Sequence, residues 1–375
     1  MMKTDAIGLY VHIPFCLRKC NYCDFCSFDS LDEQKRTEYV SALINEIKSY
    51  KREEKILVNT VYFGGGTPSL LETFEFEAIV DAIRESFEIS PDNEFTIEVN
   101  PKTVALEKMR FLKSQGVNRI SIGLQSIHEN EMKILGRIHN YNDFKDAYSA
   151  ARDAGISNIS VDVMYGIPEQ TKISFEETLR SVIDLQPEHI SVYGLILEEG
   201  TRFWEIKDKL SLPSEDEECD MYYSACDLLA SEGYSHYEIS NYSKQGFESR
   251  HNLKYWRCES YIGVGISAYS YFEDRRYGNT NDLDEYLSKN VTKYSMDEPI
   301  DPETHSFEYA MLALRLAEGI SLSEYENIFG LDFISSRKAK IDEYIKLGYM
   351  QSSGDRLFLT ERGFYISNTI LSELL

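Results

Sequence analysis

The sequence predicts an α/β fold, a partial (βα)6 barrel followed by an α+β extension. Two observations carry that prediction. Short apolar stretches alternate with amphipathic ones as far as residue 194, the rhythm of parallel strands joined by crossover helices. The carboxyl ends of successive apolar stretches carry glycines, amides and charged residues, and barrels of this kind place their ligands at those ends.

The strands are expected at Leu9–Ile13, Thr60–Phe63, Phe95–Val99, Arg119–Gly123, Ser160–Met164 and His189–Tyr193. Thr37–Tyr50 has apolar residues at Tyr39, Val40, Leu43, Ile44 and Ile47, a helical stripe. Glu75–Phe87, Val104–Ser114, Asp143–Ala154 and Ser174–Leu185 read the same way. A doubly wound open sheet shares this rhythm, and sequence does not decide sheet closure. Residues 1–214 are therefore expected to form the barrel and 215–300 a connecting region. That region holds a helix at Glu215–Ser231, a mixed segment at Tyr234–Tyr242, a loop at Arg250–Tyr261 and the small-residue segment Ile262–Tyr271. Residues 301–375 carry helical stretches at Phe307–Ala317, Leu322–Phe329 and Phe333–Leu347, then a strand pair within Met350–Leu359 and a last helix from Glu361. Three helices and a hairpin make a winged-helix-like unit.

Composition narrows the partners. The chain of 375 residues has a formal net charge of -24. So negative a surface repels phosphate backbones, and no nucleic-acid partner is expected even with a winged-helix-like unit. An apolar content of 42% is ordinary for a globular protein. No apolar run approaches the roughly 20 residues of a membrane span, and no secretory leader pattern opens the chain. A cytoplasmic protein is expected. Seven cysteines, an odd number in a long chain, argue against a disulfide framework.

Three of those cysteines are clustered, in Cys16-Leu17-Arg18-Lys19-Cys20-Asn21-Tyr22-Cys23 just beyond the first strand. An iron–sulfur cube needs four thiolates, so three leave one iron corner free to bind a substrate. Zinc is the competing reading, but it favours four closed ligands in C-x2-C pairs. Here the first gap is three residues and no second pair lies close by. His12 is a conceivable fourth zinc ligand, although a side chain pointing off the end of the first strand is the plainer expectation.

The later strand ends add to the picture. Tyr62-Phe63-Gly64-Gly65-Gly66-Thr67-Pro68 exposes bare backbone to a ligand and lacks the Lys-Ser/Thr of a phosphate loop. Ile97-Glu98-Val99-Asn100-Pro101, Ile122-Gly123-Leu124-Gln125-Ser126, Leu135-Gly136-Arg137 and Asp162-Val163-Met164-Tyr165-Gly166-Ile167-Pro168 follow in order. Carboxylates there can accept bonds from ribose hydroxyls, and an arginine can pair with a carboxylate.

These strings together resemble the radical S-adenosylmethionine (SAM) superfamily, within it the oxygen-independent coproporphyrinogen oxidases and their relatives. The likeness runs from about Gly8 to the C-terminus. It implies that Cys16, Cys20 and Cys23 hold a [4Fe-4S] cluster and that Tyr22 lies near the adenine of SAM. It implies further that Gly65, Gly66 and Thr67 meet the methionine end of SAM, and that Gln125, Arg137, Asp162 and Gly194 line the rest. Tyr10 and Glu98 match positions lining a neighbouring SAM pocket in the oxidase.

Two functions divide that family: oxidative decarboxylation of coproporphyrinogen III, and haem delivery by a chaperone. Three features favour the chaperone branch. The cluster motif starts at residue 16, so the oxidase's longer N-terminal segment is expected to be missing. Phe25 stands where the oxidase pattern has a fourth cysteine, while Cys26 matches neither pattern and reads as a buried small residue. His251-Asn252-Leu253-Lys254-Tyr255-Trp256 matches H-N-x-x-Y-W, a signature of that branch. An imidazole can ligate haem iron and aromatic rings can cover a porphyrin; the plainer reading packs Trp256 under the barrel and bonds His251 to backbone. The expectation is a protein that binds a cluster, SAM and haem, the last partly through His251. It would pass haem to a respiratory acceptor protein, which can be membrane-associated.

Overall fold

Alternation along a strand sends successive side chains to opposite faces. Here it sends aliphatic residues to one face and polar, small and aromatic ones to the other. The computed structural model describes residues 6–288 and 294–375. In it β1 (Ile7–Ile13), β2 (Ile56–Gly65), β3 (Phe87–Val99), β4 (Arg119–Gln125), β5 (Asn158–Tyr165) and β6 (His189–Gly194) lie side by side in chain order, all parallel. Leu9, Val11, Phe63, Ile97, Ile122, Val161 and Ile190 are buried in the main apolar core, on the helix-covered face. The other face carries Tyr10, Tyr62, Glu98, Ser121, Asp162 and Tyr193, which fill the barrel centre.

The crossovers are α1 (Glu33–Ser49), α2 (Thr73–Ser86), α3 (Leu106–Ser114), α4 (Glu129–Leu135) with α5 (Tyr141–Asp153), and α6 (Lys172–Ile183). All but α4 start close to their predicted places. Asp32 caps α1, while Asn140 and Thr171 build capping boxes for α5 and α6. The short α4 was not foreseen. It stops at Gly136, whose left-handed φ of 77° turns the chain towards the barrel mouth.

Residues 215–300 supply both edges of this same sheet. After α7 (Arg202–Glu205) and α8 (Glu215–Ser231) come β7 (Ser235–Glu238) and β8 (Asn241–Ser243), and β8 pairs antiparallel with β6. The expected loop at Arg250–Tyr261 is corrected: it begins with a helix, α9 (Arg250–Trp256). Then β9 (Tyr261–Val264) adds parallel to β1, and β10 (Tyr269–Phe272), β11 (Arg275–Gly278) and, after α10 (Leu283–Ser288), β12 (Met296–Pro299) extend that edge. The sheet runs from β12 to β7 and stays open among the described residues, as a partial barrel should.

The C-terminal unit follows winged-helix order: α11 (Pro302–Ala313), β13 (Ile320–Ser321), α12 (Leu322–Phe329), α13 (Lys338–Lys346), then β14 (Met350–Ser353) and β15 (Arg356–Leu359). The predicted helix Phe307–Ala317 is displaced towards the N-terminus, because Asp301 caps it from in front of Pro302. The last helix divides into α14 (Glu361–Tyr365) and α15 (Ser367–Leu374).

Phe63 is fully buried, its ring centroid 4.9 Å from Phe76 and 5.6 Å from Phe95. Phe63→Ala should therefore cost about 3–5 kcal/mol, read as a lower urea midpoint; an unchanged midpoint would show that β2 and α2 do not pack this way.

Candidate functional site

The cysteine loop between β1 and α1 is pinned at several points. The Cys16 amide donates to Phe28 O at 2.9 Å and the Phe28 amide to Pro14 O at 2.7 Å, folding the loop back on itself. Asn21 donates through its amide to Leu135 O at 2.9 Å and through Nδ2 to Ile134 O at 2.7 Å, which fastens the loop to the end of α4. The Phe203 amide of α7 donates to Asn21 O at 2.8 Å. On the neighbouring strand end the Gly66 amide donates to Ile13 O at 2.8 Å. A Cβ on Gly66 would lie 2.7 Å from Phe15 O and 3.1 Å from Cys16 Sγ, so only glycine lets the turn rest on the cysteine loop.

These elements enclose a cavity of about 340 Å³ at the carboxyl ends of the strands. Cys16, Cys20 and Cys23 line it together with Tyr22, Gly65, Gly66, Thr67, Glu98, Gln125, Arg137, Asp162 and Gly194. Twelve residues singled out from sequence thus meet in one place. Arg137 donates from Nη1 to Cys20 Sγ at 3.5 Å and from Nη2 to Gly123 O at 2.6 Å; its buried Nε has no partner among the described residues. Thr67 Oγ1 donates to Cys16 Sγ at 3.8 Å. Ser121 Oγ donates to Asp162 Oδ1 at 3.1 Å. Burial raises the thiol of Cys16 and pushes that of Cys23 up to about 11, so a metal must displace the protons to bind. Among the described residues no three His, Cys, Asp or Glu side chains converge on a single metal ion.

Sequence reading passed over some of the wall. Tyr193 donates to Gln125 Oε1 at 2.6 Å, and Met164, Leu195 and Ile196 also line the cavity. Alternation along β5 and β6 was the available signal for Met164 and Tyr193, which share the inward face with Asp162 and Ser191.

Tyr10 and His251 are not in this cavity. Tyr10 OH meets His12 Nδ1 at 3.0 Å, and its ring stacks on Tyr62 at 6.2 Å, one ring removed from Glu98. His12 does not point off the strand. It is buried, and its Nε2 meets Cys26 O at 2.8 Å. His251 lies at the opposite, amino end of the barrel. Glu94 accepts the Arg250 and His251 amides, each at 3.0 Å, holding the start of α9 beneath the strands. The imidazole, 1% exposed, joins Thr60 Oγ1 at 2.9 Å and Tyr255 OH at 2.7 Å. Burial, then the charges of Lys254 and Arg119, push it down to about 3, so it is neutral. In place of the haem ligand expected from the motif, this structure has a histidine with both ring nitrogens engaged by protein.

The comparisons match this geometry. The Radical SAM superfamily model matches residues 10–182, and the HemN C-terminal domain model matches residues 300–366. Coproporphyrinogen III oxidase (HemN) from Escherichia coli, a radical SAM enzyme, superposes with a TM-score of 0.84 over 98% of this chain and 89% of its own; at 22% identity it shows the shared fold. The fold is that of a radical SAM protein. Over nearly the full length, the chain is 35% identical to Heme chaperone HemW of Lactococcus lactis (98% of this chain, 96% of the relative). It is 35% identical to that of Escherichia coli (99% and 98%) and 32% to that of Bacillus subtilis (98% of each). The chain belongs to the HemW heme-chaperone branch of the radical SAM superfamily. No helix among the described residues is long and apolar enough to cross a membrane.

Glu98 yields a pH prediction. Burial pushes its carboxyl up to about 7; Asp162 adds to the rise, while bonds from Tyr62 OH (2.9 Å) and the Gly65 amide (3.2 Å) work against it. Between the ordinary value of 4.5 and about 7 the folded protein holds a proton that the unfolded chain has lost. Its stability therefore falls as pH rises through that window and levels off above it. Glu98→Gln removes this loss. Relative to the parent, the variant should gain up to ~1.4 kcal/mol per pH unit across the window, followed by urea unfolding; a pH-independent difference would refute the assignment.

Proposed function

We propose that this chain is a haem chaperone that holds one [4Fe-4S] cluster and SAM, binds haem and passes it to an acceptor protein of respiration. The observation that carries the reading is its full-length likeness to proteins named Heme chaperone HemW. The cavity supports the cofactor part. Cys16, Cys20 and Cys23 would hold the cluster, whose fourth iron would chelate SAM and supply an electron to it. Arg137 keeps a guanidinium beside the cysteines and has an Nε still to satisfy, suited to a carboxylate. Gly65 and Gly66 offer close backbone approach. Gln125, Asp162 and Gly194 offer acceptors for a nucleoside, and Tyr22 offers a ring for its base. Protonated Glu98 can lose its proton when a cationic ligand enters, which balances the ligand's charge. The delivery itself is placed in the cytoplasm, to an acceptor that can lie at the membrane.

Anaerobic reconstitution should yield the brown iron–sulfur absorbance in the parent and lose it in Cys20→Ala; full iron content in that variant would overturn the ligand assignment. With SAM and reductant, the reconstituted protein should leave coproporphyrinogen III unchanged. Conversion to protoporphyrinogen IX at enzymatic rates would make the chain an oxidase and not a carrier.

A further inference from the structure

A second cavity, about 1040 Å³, lies at the amino end of the barrel, between it and the C-terminal unit. Cofactor sites run to about 300–1,000 Å³, so this one is large enough for a macrocycle. Three separate stretches build its walls: Trp256 at the end of α9 with Cys258 just beyond it, Tyr271 on β10, and His305 with Phe329 on α11 and α12. Nothing in the cluster site reaches it.

Its histidine differs from three others of the barrel, although among the described residues His139 and His236 also carry a buried Nδ1 with no partner. His12, His189 and His251 have both ring nitrogens bonded. His305 makes one long ring contact, Nε2 to Tyr271 OH at 3.4 Å, and its Nδ1 has no hydrogen bond among the described residues. The ring is set edge-on to Phe329 (5.2 Å, 90°) and 5.9 Å from Tyr271. Burial holds its pKa below the ordinary value, which keeps the imidazole neutral and able to donate a lone pair. Trp256, the last residue of the H-N-x-x-Y-W motif, lies in the wall, and its buried Nε1 has no partner among the described residues. Arg257 and Arg356 also line the cavity; Arg257 is paired with Glu318 at 3.1 Å, while Arg356 reaches Gly319 O at 3.1 Å. Glu259, Glu273, Asp274, Glu318 and Glu324 lie on the wall as well, so an anionic edge would be repelled from them and drawn to Arg356.

We propose that this cavity is the haem pocket and that His305 is an axial ligand to the iron, an inference that rests on the haem-chaperone reading above. The macrocycle would pack among Trp256, Tyr271 and Phe329, with its carboxylate edge towards Arg356. The buried His251 then acquires a purpose. It bolts α9 to the barrel floor, and the far end of that helix delivers Trp256 to the haem wall. His251 is a positioning residue here and His305 the ligand.

The test is titration of the full-length, cluster-reconstituted protein with ferric haem, followed by the Soret band. His305→Ala should weaken binding at least about tenfold and move the Soret maximum, with the iron–sulfur absorbance retained. Free imidazole added to His305→Gly should restore the maximum. Ile328→Trp, which fills the cavity from α12, should weaken binding to a similar degree without touching the ligand. If the parent binds haem and neither His305→Ala nor Ile328→Trp changes affinity or spectrum, this cavity is not the site, while the chaperone reading stands. If the parent itself fails to bind haem, the chaperone reading falls first.

Discussion

The amide of Gly66 bonded to the carbonyl of Ile13 ties the ends of β1 and β2 together, and the rest of the mouth depends on it. That bond brings the glycine turn against the cysteine loop at a distance no side chain would permit. The loop is held in turn by α4 and α7 through Asn21. Three thiols, a guanidinium and bare backbone thus line one mouth.

The barrel has a second, less conspicuous end. Glu94 satisfies the first amides of α9, and His251 is clamped between Thr60 and Tyr255. A polar plug of this kind can be buried because every hydrogen-bonding atom of the imidazole is satisfied. The plug ties residues 215–300 to the floor of the barrel and presents Trp256 towards the C-terminal unit. The proposed cluster and SAM chemistry then belongs to one end of the molecule, and the proposed haem chemistry to the other.

Much of this was legible from the chain. The six strands stand out because their outward faces are continuous runs of Val, Ile, Leu and Phe. The mouth residues stand out because each follows such a run. The helix α9 was not legible. It is seven residues long, too short to show a 3.6-residue period, and the carboxylate at its N-terminus is Glu94, from a distant strand. The placement of His12 was hidden in the same way, since its partner is a carbonyl in the folded-back cysteine loop.

By itself the sequence determined the parallel α/β architecture, the cysteine trio and the set of residues gathered round it. Those depend on local periodicity and on the rule that strand ends collect at one mouth, which any order-preserving barrel obeys. Only the tertiary structure decided which histidine nitrogens are taken up and which histidine faces the large cavity. A motif string shows that His251 and Trp256 lie close together along the chain. It does not show that the barrel floor takes up both nitrogens of His251, while His305, in a stretch with no motif at all, is left facing a cavity with one nitrogen free among the described residues. Availability depends on long-range hydrogen bonds, and those exist only once the chain has folded.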